Sequence, residues 1–471
     1  MAGATKDQEI RTSVTAAEDS NVQTESDVPP SKLRRFFGLF WTRETDPRER
    51  KYIKKLDAFL FTQVMLGYFI KWLDQSNYSN AFVSGMKQDL HLYGNERNLM
   101  NTYFNIGMIV GSIPCIMIQI KFIRPSIWIP SCEVLWSILV MGMAGAKDIY
   151  VLRFFIGLIE SAAFPGYTAL LGSYYGPNQL AKRVGLFEQC TQIAGMFGGY
   201  LQAALYTGLN GRAGLAGWRW LFIFDGIISI PIAVWGYFAL PDLPTNTRAF
   251  YFTKEDREYG LERIEKIGRK APTKFTLKSV KKIFTSWYFY GFIFPYLMVA
   301  EAASGYNYFN LWLSAEGYST VRVNTLPTIG NAISIVAALF FGTLADRTGH
   351  RKYIVDFIMI LTLISNILLT VWHIPKAALF FAFYLGYVGL AAQPLITTWG
   401  QEITQHDAHI RQLLVAGGNV MSYTFSAWLP VVVFPTQDAP HYKYAYQILI
   451  MFSGLGIFST HLLGWLHEKH G

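Results

Sequence analysis

Stretches of about 20 residues with few or no ionisable side chains recur along this chain, as at 126–146, 283–300 and 368–387, and a helix of that length crosses the hydrocarbon of a bilayer. This recurrence restricts the fold more than any other feature, because within lipid each backbone polar group must find its partner inside the segment. Composition agrees: 52% of the 471 residues are apolar and only 15% are charged, whereas an ordinary soluble domain is roughly 25% charged. The chain is expected to be an all-α polytopic membrane protein.

Read in order, the apolar runs place twelve helices near 58–84, 99–120, 126–146, 149–173, 184–207, 218–240, 286–312, 325–345, 353–373, 377–401, 411–434 and 443–466. Between the sixth and seventh lies a polar, Lys/Arg-rich connector that belongs outside the membrane. Four parts are expected: a disordered cytosolic tail over 1–56, a six-helix bundle over 57–240, a cytosolic connector over 241–285 and a second six-helix bundle over 286–471. Two such halves, related by an axis along the membrane normal, would hold a solute site near the midplane between them. Gly107 with Gly111, and Gly195 with Gly199, form small-residue faces at which helices can approach closely.

The formal charge of +9 would raise the question of nucleic acid in a soluble chain. With both termini in the cytosol, however, roughly 31 of the 41 Lys and Arg fall on the cytosolic side, as the positive-inside rule requires. The basic balance is thus an orientation signal, and no nucleic-acid partner is expected. In the tail, residues 33–41 combine Arg34 and Arg35 with four aromatic side chains, a pattern suited to the cytosolic membrane surface. The acidic, Ser/Thr-rich start does not resemble a cleaved signal peptide. Cys115, Cys132 and Cys190 each sit inside an apolar stretch, where packing is the expected role.

An ionisable side chain near the bilayer centre costs about 2.5–3.5 kcal/mol on insertion scales, so each needs a partner, water or a purpose. On the first helix Lys71, Asp74, Gln75 and Tyr78 fall at i, i+3, i+4 and i+7 and share one face. On the fourth, Arg153, Gly157, Glu160 and Phe164 repeat that spacing, which sets guanidinium and carboxylate about 10 Å apart along the axis. The functional reading makes Arg153 the cation for a solute carboxylate, since its planar fork matches that group, and Glu160 a protonatable acid. The plainer reading is that these charges neutralise neighbours and lock helices together. Glu301, with Ser304, Gly305 and Tyr308 on its face of the seventh helix, divides evenly between the two. Gln393, Thr397 and Gln401 align on the tenth helix, and Asn419, Ser422, Tyr423 and Ser426 on the eleventh. Both rows suit a cavity lining or interhelical hydrogen bonds. His406 and His409 flank Asp407 without further ligands, so no metal site is expected, and no cofactor.

The segment GTLADRTGHRK at 342–352 resembles the loop signature of the major facilitator superfamily, at its expected place between helices eight and nine. The resemblance implies that Asp346, Arg347 and Arg351, with Gly342, clasp the cytosolic ends of neighbouring helices and act as a gate. The first-half counterpart, IKFIRP at 120–125, lacks the acid and the glycines. LDQSNYSNA at 73–81, RFFIGLIESAAFP at 153–165, GWRWLF at 217–222 and DAP at 438–440 resemble the anion:cation symporter family within it. YFIKWLD at 68–74, VSGMK at 83–87 and LNGR at 209–212 are similar to the fungal branch of allantoate, pantothenate and biotin permeases.

That likeness implies a proton-coupled symporter of a small organic anion, with Asp74 and Glu160 handling protons and Arg153 serving substrate or gate. Lys71, Gln75, Tyr78, Gln393 and Asn419 are the other candidate substrate contacts. The family usually has arginine directly after the first-helix aspartate, where this chain has Gln75. Lys71, one turn earlier on the same face, is read as its replacement. A monomeric carrier in the plasma membrane is expected, taking a pantothenate-like vitamin or, alternatively, allantoate, biotin, nicotinate or a secondary-metabolite acid. A nutrient sensor on the same scaffold is the competing class. The short stretch after the last helix favours transport. An enzyme would need a nucleophile, base and metal grouping near one interface, and none is legible.

Overall fold

The computed structural model describes residues 46–266, 287–403 and 408–470. Among these residues the backbone is helical wherever it is regular, with six long helices on either side of the connector. In the first half they are Pro47–Asp89, Glu96–Lys121, Pro125–Gly142, Tyr150–Tyr174, Pro177–Leu209 and Gly217–Ala239. In the second half the seventh helix comes in three pieces, Trp287–Ala302, a tight 3-10 turn at Ser304–Tyr308, and Phe309–Ala315. Thr320–Thr348, Arg351–Val371, Lys376–Ile403, Ala408–Val433 and Ala445–His470 follow.

Among the described residues, nine of these helical stretches are long and apolar enough to cross a membrane on length and composition alone. The fifth, seventh and eleventh fall short for physical reasons. The fifth carries Glu188, Gln189, Gln192 and Gln202, the seventh is interrupted, and the eleventh holds Asn419, Ser422, Thr424 and Ser426. Polar side chains on a spanning helix belong on faces turned away from lipid. The opposite holds at Ile113, Val336, Phe340 and Phe458, which are large, apolar and exposed, as an outer surface in contact with acyl chains requires.

Within the first half, helix two runs along helix four, six along three, and five along one; in the second half, helices seven and nine both run along twelve. The two halves meet where helix five packs on eight and helix two on eleven. The small-residue faces explain these approaches. A Cβ on Gly157 would strike the Phe104 carbonyl oxygen of helix two, and one on Gly199 the Asn324 carbonyl oxygen of helix eight. Because backbone sits where the side chain would go, Gly157→Val is expected to push helices two and four apart. Overpacking of this kind costs about 1–3 kcal/mol, and loss of a monodisperse peak in detergent size-exclusion chromatography is the readout.

One expectation is corrected. The first helix begins at Pro47, not near residue 58, so the tail read as disordered through residue 56 is helical over its last ten residues. Tyr52, Ile53 and Leu56 are buried; they fall on one side of a segment whose other positions are mostly Lys and Arg, and average composition hides that stripe. Tyr52 stacks on Phe252 of the connector at 5.4 Å, and Lys55 pairs with Asp256 of the connector helix Lys254–Lys266. The 33–41 segment, His406 and Asp407 lie outside the described residues.

Hydrogen bonds between the halves among the described residues concentrate at the end remote from the connector. Asn98 Nδ2 donates to the carbonyls of Pro430, at 3.0 Å, and Phe434. Asn95 Nδ2 donates to Val431 O at 2.8 Å, and its Oδ1 accepts from Thr436 N at 3.0 Å. Asn324 Nδ2 donates to Ser84 Oγ at 2.9 Å, beside Gly85, whose φ of 110° kinks the first helix there. At the connector end Arg183 forks onto Asp57 within the first half, with both contacts at 2.7 Å.

Candidate functional site

The i, i+3, i+4, i+7 stripe of the first helix and the stripe of the fourth face each other, and the sixth helix closes over them. Lys71, Asp74, Arg153 and Glu160 are all at most 2% exposed. Gln75 Nε2 donates to Glu160 Oε2 at 2.9 Å. The Arg153 guanidinium lies over the rings of Tyr78 at 4.6 Å and Phe104 at 4.5 Å, an aromatic cage that favours a desolvated cation. Arg153 Nε donates to the Met100 carbonyl at 3.5 Å, whereas Nη2 is buried with no hydrogen-bond partner among the described residues. Lys71 Nζ stands over Trp72 at 5.0 Å and Tyr68 at 5.7 Å, within electrostatic reach of Glu160.

On the plainer reading a neighbour such as Lys71 would neutralise Asp74; among the described residues neither of its carboxylate oxygens receives a hydrogen bond, and its carboxyl faces that of Asp225. Asp225 is fully buried on the sixth helix, where Asn77 Nδ2 donates to it at 2.6 Å and Ser229 Oγ at 3.3 Å. The group therefore combines three carboxyls, Asp74, Glu160 and Asp225, with two cations, Lys71 and Arg153. Fully ionised it carries one net negative charge, and a single proton brings it to neutrality. Two carboxyls that face each other repel when both are ionised, and a proton on one of them relieves that repulsion.

Gln393 and Asn419 come together in the second half, apart from this cluster. Tyr296 Oη donates to Asn419 Oδ1 at 2.9 Å and accepts from Gln393 Nε2 at 2.8 Å. Glu301 is 5% exposed, just before the break in the seventh helix. The face predicted for it assumes a straight helix; the 3-10 turn at Ser304–Tyr308 changes that spacing, although Tyr308 remains within electrostatic reach. At the connector end, Arg351 bonds Asp346 at 2.9 Å and Glu402 at 2.8 Å, so one guanidinium ties the ends of helices eight, nine and ten. Arg347 is exposed and outside this group, and a Cβ on Gly342 would meet open space.

Three acids are missed by sequence reasoning: Glu133, Glu188 and Asp225. Each stands alone in a run of apolar or uncharged residues, and that isolation is the available signal. Glu133 accepts hydrogen bonds from Tyr167 and, at 3.3 Å, from Gln63, tying helices one, three and four together. Glu188 is half-buried on the fifth helix within electrostatic reach of Tyr68 in its own half and of Tyr296 in the other.

Two six-helix halves sealed at one end, with buried charges between their helices, define a membrane transporter of the alternating-access class. Residues 64–412 match the Major Facilitator Superfamily, and the chain belongs to it. It is 40% identical over 410 residues to the MFS transporter PfmaC of Pestalotiopsis fici, covering 85% of this chain and 76% of that one. It is 30% identical over 429 residues to the pantothenate transporter liz1 of Schizosaccharomyces pombe, covering 89% and 83%. Among solved structures, the D-xylose-proton symporter superposes with a TM-score of 0.61 over 88% of this chain and 97% of that one. At 14% identity that likeness concerns the fold alone.

Proposed function

We propose that this chain carries a small organic monoanion, a pantothenate-like carboxylate, in symport with protons across the plasma membrane, as a monomer with both termini in the cytosol. The observation that carries the reading is Arg153: a guanidinium 1% exposed, with Nη2 unsatisfied. A buried unpaired donor of that kind is destabilising unless something it binds completes it. A carboxylate completes it, and the similarity to a pantothenate transporter narrows the class.

Asp74, Asp225 and Glu160 surround the same space and serve as the proton site. When one proton enters, attraction between the acids and Lys71 or Arg153 weakens, and the cations turn to the solute carboxylate. Proton and anion together leave the cluster's net charge as it was, which permits the halves to rock about the midplane. Proton loss on the cytosolic side restores the internal pairing and expels the anion. Seals at the far end, from Asn95, Asn98 and Asn324, break in the other state. The Arg351 clasp at the connector end acts as the opposing gate.

Expression in a yeast lacking its own pantothenate uptake is expected to restore growth on limiting pantothenate, with accumulation increasing as the medium is acidified. A panel of biotin, nicotinate, allantoate and other organic acids run alongside assigns the branch. Normal surface levels with no accumulation of any carboxylate would sink the proposal.

A further inference from the structure

Helix two turns a row of amides toward helix eleven, and the reading above uses only its outer end. Asn98, Asn101 and Asn105 fall at i, i+3 and i+7 and so share one face, opposite the exposed Tyr103, Ile106 and Val110. Their partners run antiparallel along helix eleven. Asn98 Nδ2 donates to the carbonyls of Phe434 and, at 3.0 Å, Pro430; Thr102 Oγ1 donates to that of Ala427, and Asn101 Nδ2 to that of Ser426 at 3.4 Å. By that register Asn105 comes level with Ser422 and Tyr423, and there the row stops. Asn105 is 3% exposed, and its Nδ2 is buried with no hydrogen-bond partner among the described residues.

The turn at which the row stops is also where Arg153 reaches helix two. Its Nε donates to the Met100 carbonyl at 3.5 Å and its guanidinium lies 4.5 Å from the Phe104 ring; Phe104 immediately precedes Asn105. Two buried donors, Arg153 Nη2 and Asn105 Nδ2, thus stand beside the same turn of helix two, each without an acceptor among the described residues. An unmet buried donor costs about 1–3 kcal/mol, and more if charged. A carboxylate offers about four acceptor sites on its two oxygens and can meet both donors at once. Because Asn105 faces helix eleven, a solute that it holds lies at the contact between the two halves.

We propose that Asn105 is a substrate-binding residue whose amide donates to the solute carboxylate beside Arg153, so that the bound anion supplies the acceptor that helix eleven gives to Asn98 and Asn101 but not to Asn105. This rests on the carboxylate reading above and adds the second donor to it. Loading then completes the row between the halves, which ties occupancy to the seal at the outer end. Sequence reasoning passes over Asn105 because an amide in a spanning helix is ordinarily spent on interhelical hydrogen bonds, as Asn98 and Asn101 are.

Thermal unfolding of the purified full chain in detergent, titrated with pantothenate and with hexanoate, tests this, since a bound solute raises the unfolding temperature. The wild-type chain is expected to be stabilised by both probes. In Asn105→Ala the half-effective concentrations of both should rise by the same factor, about tenfold, as for losing one hydrogen bond to a charged group. Asn105→Asp has the same shape but replaces the donor with a negative charge, and neither probe should stabilise it. Without a probe, Asn105→Ala should unfold near the wild-type temperature because its Nδ2 gives up no bond, whereas Asn98→Ala, which loses two, should unfold lower. Asn105 variants that unfold as low as Asn98→Ala would make the residue one more rung of the seal and overturn its role at the solute. Unchanged half-effective concentrations in either variant would overturn that role too, and a rise for pantothenate alone would overturn the contact with the carboxylate; the Arg153 site would stand in each case. A wild-type chain stabilised by neither probe would overturn the carboxylate reading itself.

Discussion

Replacing Arg153 with glutamine is expected to abolish uptake while the protein still reaches the membrane. Among the described residues its guanidinium is held by the Tyr78 and Phe104 rings and by one long hydrogen bond from Nε to Met100, and its Nη2 has no hydrogen-bond partner. Removing one member of a buried charge-to-carboxylate contact costs about 2–5 kcal/mol, which corresponds to roughly 30-fold to several-thousand-fold in affinity. Glutamine retains a polar head in the aromatic cage without the charge, so the fold should survive the change. Initial rates of labelled pantothenate uptake, normalised to surface protein, are the measurement. Rates above about one tenth of wild type would remove Arg153 from the solute site, because that loss is smaller than a buried charged contact allows.

A second large effect is expected from Asp225→Asn. The introduced amide would donate to Asp74 and hold the pair in the pattern that a shared proton otherwise provides, so the cluster keeps its protonated form at every pH. Each coupled proton supplies about 1.4 kcal/mol per unit of pH difference, equivalent to tenfold accumulation. Wild-type cells should therefore accumulate solute against its gradient more strongly as the medium is acidified. The variant should lose that dependence and equilibrate the solute without concentrating it. Exchange of labelled for unlabelled solute should persist, since exchange does not need net proton movement. Accumulation that still climbs with acidity in Asp225→Asn would move proton coupling elsewhere, with Glu160 the next carboxyl to test.

Both effects depend on how the cluster is assembled, and only part of that is legible in the sequence. Lys71, Asp74, Gln75 and Tyr78 can be placed on one face because helical periodicity is local, and the same holds for Arg153, Gly157 and Glu160. That the two stripes meet at the Gln75–Glu160 bond, at 2.9 Å, follows from packing of helices one and four. The Lys71 and Asp74 positions are the instructive case: their spacing allows a pair, but the Asp74 carboxyl faces Asp225 of the sixth helix, 148 residues beyond Asn77, which bonds it. At the connector end the pattern Asp346…Arg351 is visible in one short motif. Its second acid, Glu402, lies 51 residues farther along from Arg351, and no local spacing pairs the two.

What the amino-acid order determined alone is the number and course of the spanning helices, the division at the connector and the faces that a single helix presents. These are set by runs and periods within some 20 residues, the length over which lipid demands an apolar helix. The tertiary structure decided which face turns inward, that the first helix extends back to Pro47, and that Asp225, Glu133 and Glu188 belong to the interior. The physical reason is that burial of a charge is a property of the surrounding helices. A lone acid in an apolar run looks the same in sequence whether its helix turns it toward a partner, a cleft or lipid.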